Sequence, residues 1–423
     1  MQSPEFMEST LDISTIEKTK VRLAKLVLLF IICFIGSIFG GAVSTLMSVY
    51  LPAVVKDMHG NQTGDALNNT SAYVNSLFIF GWTIGGFLWG LISDKIGRKA
   101  ALLLAIAGYG VFTILTGLSQ NWGEVMACRF LSGFDVGGVL VISVTLLSEV
   151  WPEKSRAVFI GILSIAFPIG IFSAGLINTI VSSWRQGFFM GIIPVLLAIP
   201  CFWLIDESEL WLRHRVDKRS GIKPVQRLFS GSSNKMLIIG SVIFGAMLIG
   251  MWAIFSWLPT WIQSLSTTDL QKEGGISMMF LGMGGLTGGF LSGWLVNLTG
   301  LRRSLIACYA VCAVMSFVLF KTNSSFSVVI YVEIAILALF FGASQGILSI
   351  YIPLLFPTAI RASATGFCFN TGRVFTGVAV LFVGVFVTVL GGYGNSLFIF
   401  SLVFLIGLLA VIFIKNIQPG NAS

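Results

Sequence analysis

Four ionisable residues stand inside long apolar stretches of this 423-residue chain: Arg129, Asp135, Glu333 and Arg373. A charge in such surroundings costs about 2.5–3.5 kcal/mol on insertion scales, so it normally has a partner or a function. Arg373 is a fixed cation, suited to holding the anionic group of a solute. Asp135, partly desolvated, is suited to taking up a coupling proton. If both face one cavity, protonation of Asp135 frees Arg373 for a solute carboxylate. Neutralised charges then limit the cost of crossing. The alternatives for Asp135 are a static ion pair or a place at a helix N-terminus. Arg129 and Glu333 lie at nearly equal depth in their stretches and form a second candidate pair. They are expected either to gate one end or to reach separately to water, and Glu333 is, with Asp135, a candidate for proton coupling. Asn370 lies three residues before Arg373 and shares its helical face. Gln345 (with Ser349 on the same face), Tyr351 and Trp257 complete the candidate binding set. Trp257 or Trp252 would stack on a ring or sugar face, against the packing and anchoring roles that such residues more often have.

A second constellation is charged and occurs twice. Gly85-Gly86-Phe87-Leu88-Trp89-Gly90, followed by Asp94, Gly97, Arg98 and Lys99, returns 203 residues later as Gly288-Gly289-Phe290-Leu291-Ser292-Gly293, followed by Asn297, Gly300, Arg302 and Arg303. Pro152, Arg156 and Gly161 return 205 residues later as Pro357, Arg361 and Gly366. Gly97 permits a tight reversal between helices. Asp94 suits a neighbouring helix N-terminus. Arg98 and Lys99 are expected to pair with Glu149 and its surroundings, making with Arg156, Asn297, Arg302 and Arg361 a gate that breaks as two halves rock. The alternative is that the cations only set topology. Asn297 replaces the acid, so the second half should make the weaker latch. Two related halves in a membrane chain imply a solute site at their interface and alternating access.

The elements that must position these residues follow from composition. The chain is 56% hydrophobic and 10% charged, against roughly 25% charged in an ordinary soluble domain. About twelve runs are long enough to cross a hydrocarbon core. They span 26–48, 73–93, 100–118, 123–149, 157–181, 187–205, 236–262, 276–298, 304–320, 326–352, 362–388 and 394–415. Backbone groups in lipid must bond internally, so these are helices, and the short alternating segments of a barrel are absent. The fold expected is an all-α polytopic membrane protein, with twelve transmembrane helices in two pseudo-symmetric six-helix bundles. The organisation is a tail at 1–25 (1–6 an artificial leader before Met7), bundles at 26–205 and 236–415, a linker at 206–235 and a tail at 416–423. Most of the 26 Lys and Arg residues fall on one side, with the termini and linker; only Lys56, Arg185, Lys272 and Lys321 fall on the other. The positive-inside rule then puts the termini in the cytoplasm of a cell membrane.

This charge distribution makes the net +8 a topology signal rather than a nucleic-acid one. The partners expected are a small solute and the bilayer, with the chain working as a monomer. The six cysteines form neither a disulfide framework nor a metal-spacing cluster. Without a Gly-rich phosphate loop, ATP hydrolysis is excluded and transport must run on a gradient. No nucleophile–base arrangement suggests an enzyme. No cofactor is expected beyond a coupling ion, by preference a proton.

Gly90, Asp94, Gly97, Arg98 and Lys99 fit G-x-x-x-D-x-x-G-R-K, and here the chain resembles the major facilitator superfamily. Within it, Arg129-Phe130-Leu131-Ser132-Gly133-Phe134-Asp135-Val136-Gly137-Gly138, then Ser148-Glu149 and Pro152 to Arg156, are similar to the proton-coupled symporters for aromatic acids and sialic acid, and to their organic-ion and niacin-transporter relatives. Asp206-Glu207-Ser208-Glu209-Leu210-Trp211-Leu212 resembles the P-E-S-P-R-W-L that ends the first half in several subfamilies. The resemblance associates Arg373, twelve residues after Arg361, with anionic substrates, and places Arg129 where related anion transporters hold a substrate-contacting arginine. The departures are specific. Gly40-Gly41-Ala42-Val43 stands where the aromatic-acid relatives carry D-G-x-D, and Asp135 replaces a glycine. The resemblance implies a secondary transporter for a carboxylate, acidic sugar or aromatic acid, by proton symport. A uniporter or proton antiporter for neutral or cationic solutes (a sugar facilitator or drug exporter) is the alternative favoured by the missing acids. A non-transporting sensor would carry a long extension after the last span.

Overall fold

The computed structural model describes residues 4–59, 65–209, 211–212, 233–266, 271–356 and 361–414. The rest of the expected linker, 213–232, and the tail from Lys415 lie outside the described residues, as does Pro357. Among the described residues twelve helices are long and apolar enough to cross a membrane. They are α1 Leu23–Met58, α2 Asn68–Ile96, α3 Arg98–Leu118, α4 Trp122–Val150, α5 Val158–Ile180, α6 Trp184–Leu204, α7 Asn234–Ser264, α8 Gln271–Thr299, α9 Leu301–Thr322, α10 Val329–Leu354, α11 Ala364–Val385 and α12 Tyr393–Phe413. We call the end where α1 begins and α12 finishes the terminal face.

Local chemistry sets the ends. Asn121 caps α4 by accepting the Glu124 backbone N–H at 3.0 Å, and Glu124 accepts the Gln120 N–H at 2.7 Å. Gly97 and Gly300, the repeated pair, turn the chain into α3 and α9 at φ 104° and 84°, a region that glycine enters without penalty. Helix α5 breaks at Ile165, where Pro168 has no N–H for the Ser164 carbonyl. The sequence expectation of a loop over 49–72 is too long. The helix containing α1 runs on to His59 and the one containing α2 starts at Asp65. The extension is packed rather than free. Val54 is buried, and Asp57 accepts from the Trp184 indole at 3.0 Å and from Arg185 at 3.2 Å.

The internal repeat has a packing basis. A Cβ added to Gly81 or Gly85 of α2 would strike the Phe130 or Phe134 carbonyl of α4. A Cβ added to Gly284 or Gly288 of α8 would strike the Ala335 or Leu339 carbonyl of α10. These are the same contacts at the repeat offset. Bare backbone lets the helices approach closely, and dispersion then holds them where lipid offers no hydrophobic drive.

Across the halves, α2 packs on α11, α5 on α8 and α1 on α7. These contacts close the face opposite the termini. A Cβ on Gly175 would strike the Gly275 carbonyl, and one on Gly384 would lie 2.7 Å from Ala72 Cβ. Tyr393 donates to Asn68 at 2.6 Å, and Gln271 to the Ser182 carbonyl at 3.1 Å. On the terminal side of the same four helices, Gly90, Gly161, Gly293 and Gly366 have no packing partner within 4 Å of a Cβ position. The molecule is sealed opposite the termini and open toward them.

Gly133→Leu should therefore lower the thermal unfolding midpoint in detergent, by overpacking against Phe78 worth about 1–3 kcal/mol. Gly161→Ala should leave it unchanged. Equal effects of the two would contradict this division of the glycines.

Candidate functional site

Between the halves, at the bottom of the open side, lies Arg373 on α11. Its Nη1 donates to Asn370 Oδ1 at 3.1 Å, and Asn370 Nδ2 donates to the Gly366 carbonyl at 3.0 Å. Asn370 Oδ1 also lies 3.6 Å from a Cβ position on Gly86, across the interface. The guanidinium carbon stands 5.7 Å from the Trp82 ring centroid of α2, within cation–π range. Trp82 meets Trp252 of α7 edge-on at 5.2 Å and Phe167 of α5 at 5.5 Å. Phe255 and Phe341 continue this cluster into α7 and α10. One cation, one amide and three rings from four helices thus converge at the interface. Such a site can hold a flat or apolar body bearing one negative group.

The structure places the other expected residues differently. Asp135 does not meet Arg373. It accepts the Trp89 indole N–H at 3.2 Å, inside the first bundle, with its other oxygen against Gly108 of α3. The cause is local. Gly133 and Gly137 press α4 onto the α2 backbone, which turns position 135 toward α3. Arg129 and Glu333 do not pair either. Arg129 is 1% exposed, donates to the Val43 carbonyl at 3.0 Å, and lies 4.1 Å over the Phe78 ring. Glu333 accepts from Asn323 at 2.7 Å. Trp257 is 0% exposed and donates to the Val380 carbonyl at 3.2 Å, so it packs α7 on α11 rather than lining the site. Tyr351 is buried. Gln345 has a buried amide nitrogen without an acceptor.

Sequence reasoning named Trp252 beside Trp257 as a residue that would stack on a ring, but gave Trp82 and Phe167 no place in the site. Their signal was available: Phe167 adjoins the Pro168 break in α5.

On the terminal face the repeated motif builds a network within the first half. Arg98 donates to Asp94 at 2.5 Å, to Ser93 at 2.9 Å and through Nε to Glu149 at 3.2 Å. Glu149 also accepts from Ser208 at 2.6 Å. The acid at a helix N-terminus is Glu207, not Asp94: it accepts the backbone N–H groups of Arg98 at 2.9 Å and Lys99 at 3.1 Å. The Trp211 indole donates to the Asp94 carbonyl at 2.9 Å. Lys99 leaves the network and leans over Phe202 at 5.0 Å. Arg156 donates to the Trp151 carbonyl of its own loop. Arg302 donates to the Val411 and Ile412 carbonyls at the end of α12, and Asn297 is exposed. Arg361 begins a helix, but its side chain lies outside the described residues. The network binds the start of the linker to α2, α3 and α4.

The family model for the Major Facilitator Superfamily matches residues 32–375. The chain belongs to that superfamily. It is a multi-pass membrane transporter of that type and not an enzyme. It is 25% identical over 400 residues to the cis,cis-muconate transport protein of Acinetobacter baylyi, covering 92% of this chain and 94% of the relative. It is 26% identical to the sialic acid transporter NanX of Escherichia coli, covering 88% and 89%. Its fold matches the crystal structure of a D-xylose-proton symporter with a TM-score of 0.77 at 16% identity, over 93% of this chain and 98% of that one.

Glu207→Gln should lower the thermal midpoint by removing an anionic cap worth about 1 kcal/mol, whereas Lys99→Ala should change it little. An unchanged midpoint for Glu207→Gln would contradict the capping role.

Proposed function

We propose that this transporter moves a small organic anion, a carboxylate, acidic sugar or aromatic acid, by alternating access between its halves. The observation that carries the reading is Arg373, held at the interface among Trp82, Trp252 and Phe167 with, among the described residues, a neutral amide as its one hydrogen-bond partner. A solute carboxylate supplies the charge that this guanidinium lacks. The names of the muconate and sialic acid relatives support the same solute class. Asn370 orients Arg373, and Gln345 offers a further donor. We assign proton coupling to Asp135, whose hydrogen-bond partner is the neutral Trp89 indole, so that a proton is what neutralises it. The distribution of Lys and Arg supports cytoplasmic termini in a cell membrane. The halves correspond to 26–205 and 236–415, and the unit is a monomer.

A second reading, a uniporter or antiporter for neutral or cationic solutes, is favoured by one feature. The stretch Gly40–Val43 lacks acids, and a Cβ on Gly41 would lie within 3.1 Å of Phe167 Cα, so this helix crossing excludes a side chain.

Uptake of labelled carboxylates, acidic sugars, neutral sugars and cations into proteoliposomes tests both. Proton-driven anion accumulation is expected, with Arg373→Gln losing uptake and Asp135→Asn keeping exchange but losing accumulation. Movement of cations or neutral solutes alone would reduce Arg373 to a structural residue.

A further inference from the structure

We propose that the seam between α3 and α6 on the terminal face holds an anionic phospholipid, with its phosphate on Lys99 and its apolar part along the rings at the end of α6. The site shares no residue with the Arg373 site, so it stands whichever solute is carried.

The first observation is a cation left over. Lys99 belongs to the repeated motif, yet the terminal-face network does not use its side chain. Asp94 and Glu149 are taken by Arg98, and Asp206 by Lys25. Glu207 is taken by the backbone N–H groups that open α3. Among the described residues no ion pair includes Lys99. Its Nζ turns instead to α6 and stands 5.0 Å from the Phe202 ring centroid. A ring face holds an exposed ammonium weakly and leaves N–H donors free. A phosphate supplies the full negative charge that the ring lacks.

The second observation is the surface that this ammonium faces. Phe202 is 53% exposed, and Trp203, which meets it edge-on at 5.7 Å, is 75% exposed. Both stand in the last turn of α6, where the span leaves the hydrocarbon. Tryptophan rings favour that level, among the headgroups. Ile199 and Leu196, one and two turns deeper on the Trp203 side, are also exposed. They give an acyl chain an apolar track below the ring pair. The combination selects its occupant. A zwitterionic lipid brings its own cation against Lys99, whereas an anionic one is drawn to it. A soluble anion gains nothing from the rings or the track. The bound lipid would tie the start of α3, which Glu207 caps, to the end of α6, from which the chain leads straight into Asp206 and Glu207. It should therefore stabilise the first half.

The experiment uses the full chain in detergent with phosphatidylglycerol or phosphatidylcholine added. Bound lipid is read by native mass spectrometry and stability by the thermal unfolding midpoint. Phosphatidylglycerol should be retained in preference to phosphatidylcholine and should raise the midpoint. Lys99→Gln should weaken that preference roughly fivefold, with its lipid-free midpoint unchanged, and Lys99→Arg should keep it. Trp203→Ala should weaken it without touching the charge. Lys95→Gln, which removes the same charge from the exposed end of α2, should leave it intact. Equal retention of the two lipids would overturn the inference, as would an undiminished preference in Lys99→Gln and Trp203→Ala. Equal losses in Lys95→Gln and Lys99→Gln would also overturn it, because surface charge in general would then suffice. The same rise in midpoint with free glycerol phosphate would make the occupant a soluble anion and overturn the lipid assignment.

Discussion

Every charge placed in the hydrocarbon layer must find something to neutralise or solvate it, and beside Glu333, which accepts from Asn323, three residues meet that requirement in different ways. Arg129 meets the Val43 carbonyl and the Phe78 ring inside the first bundle, with its Nε buried and unpartnered among the described residues. Asp135 is given one indole donor. Arg373 is given an amide and a ring at the interface between the halves. The difference divides the structural from the functional. Arg129 braces α4 against α1 in a fully enclosed site. Arg373 stands where the halves part, with part of its solvation left for a solute to supply.

The same helices that frame Arg373 set how the molecule can move. Glycines bring α2 to α4 and α8 to α10 within backbone contact, which makes each half rigid. Across the interface, glycine contacts are made on one side only, and their counterparts on the other side are bare. Rigid halves with a two-sided seam can seal one end at a time. The Arg98 network fits this division of labour. Its ion pairs stay within the first half and fasten the beginning of the linker, so they stiffen the moving body.

Much of the fold was legible because the bilayer leaves the backbone few choices. Long apolar runs gave the helices, and the repeat of Gly85 at Gly288 reflects a real contact, each glycine lying on the equivalent carbonyl of α4 or α10. The ends were read less well: α1 continues past its apolar run because Val54 and Asp57 are held by neighbours, and α2 starts early where Asn68 accepts from Tyr393. The site was legible in its residues but not in its pairings. Asp135 and Arg373 both carry charge at mid-depth, and depth alone suggested a pair. The facing of each was decided by rotation about the helix axis, and the glycines at 133 and 137 carried that signal. Trp257 was misplaced for a related reason: tryptophans of one helix look alike until the neighbour is known, and α11 packs over Trp257 while Trp252 turns to the interface. Glu207 was hidden because its acceptors' partners are backbone N–H groups of Arg98 and Lys99, which no side-chain pattern announces.

The most direct measurement is equilibrium binding of benzoate, cis,cis-muconate and N-acetylneuraminate to the purified protein by calorimetry, for the unmodified chain and for Arg373→Gln, with folding checked by thermal midpoint. Loss of a charge-assisted contact worth about 1.5–3 kcal/mol should weaken binding of whichever probe is taken by roughly 10- to 100-fold. Undiminished anion binding by a folded Arg373→Gln protein would contradict the central role given to this arginine.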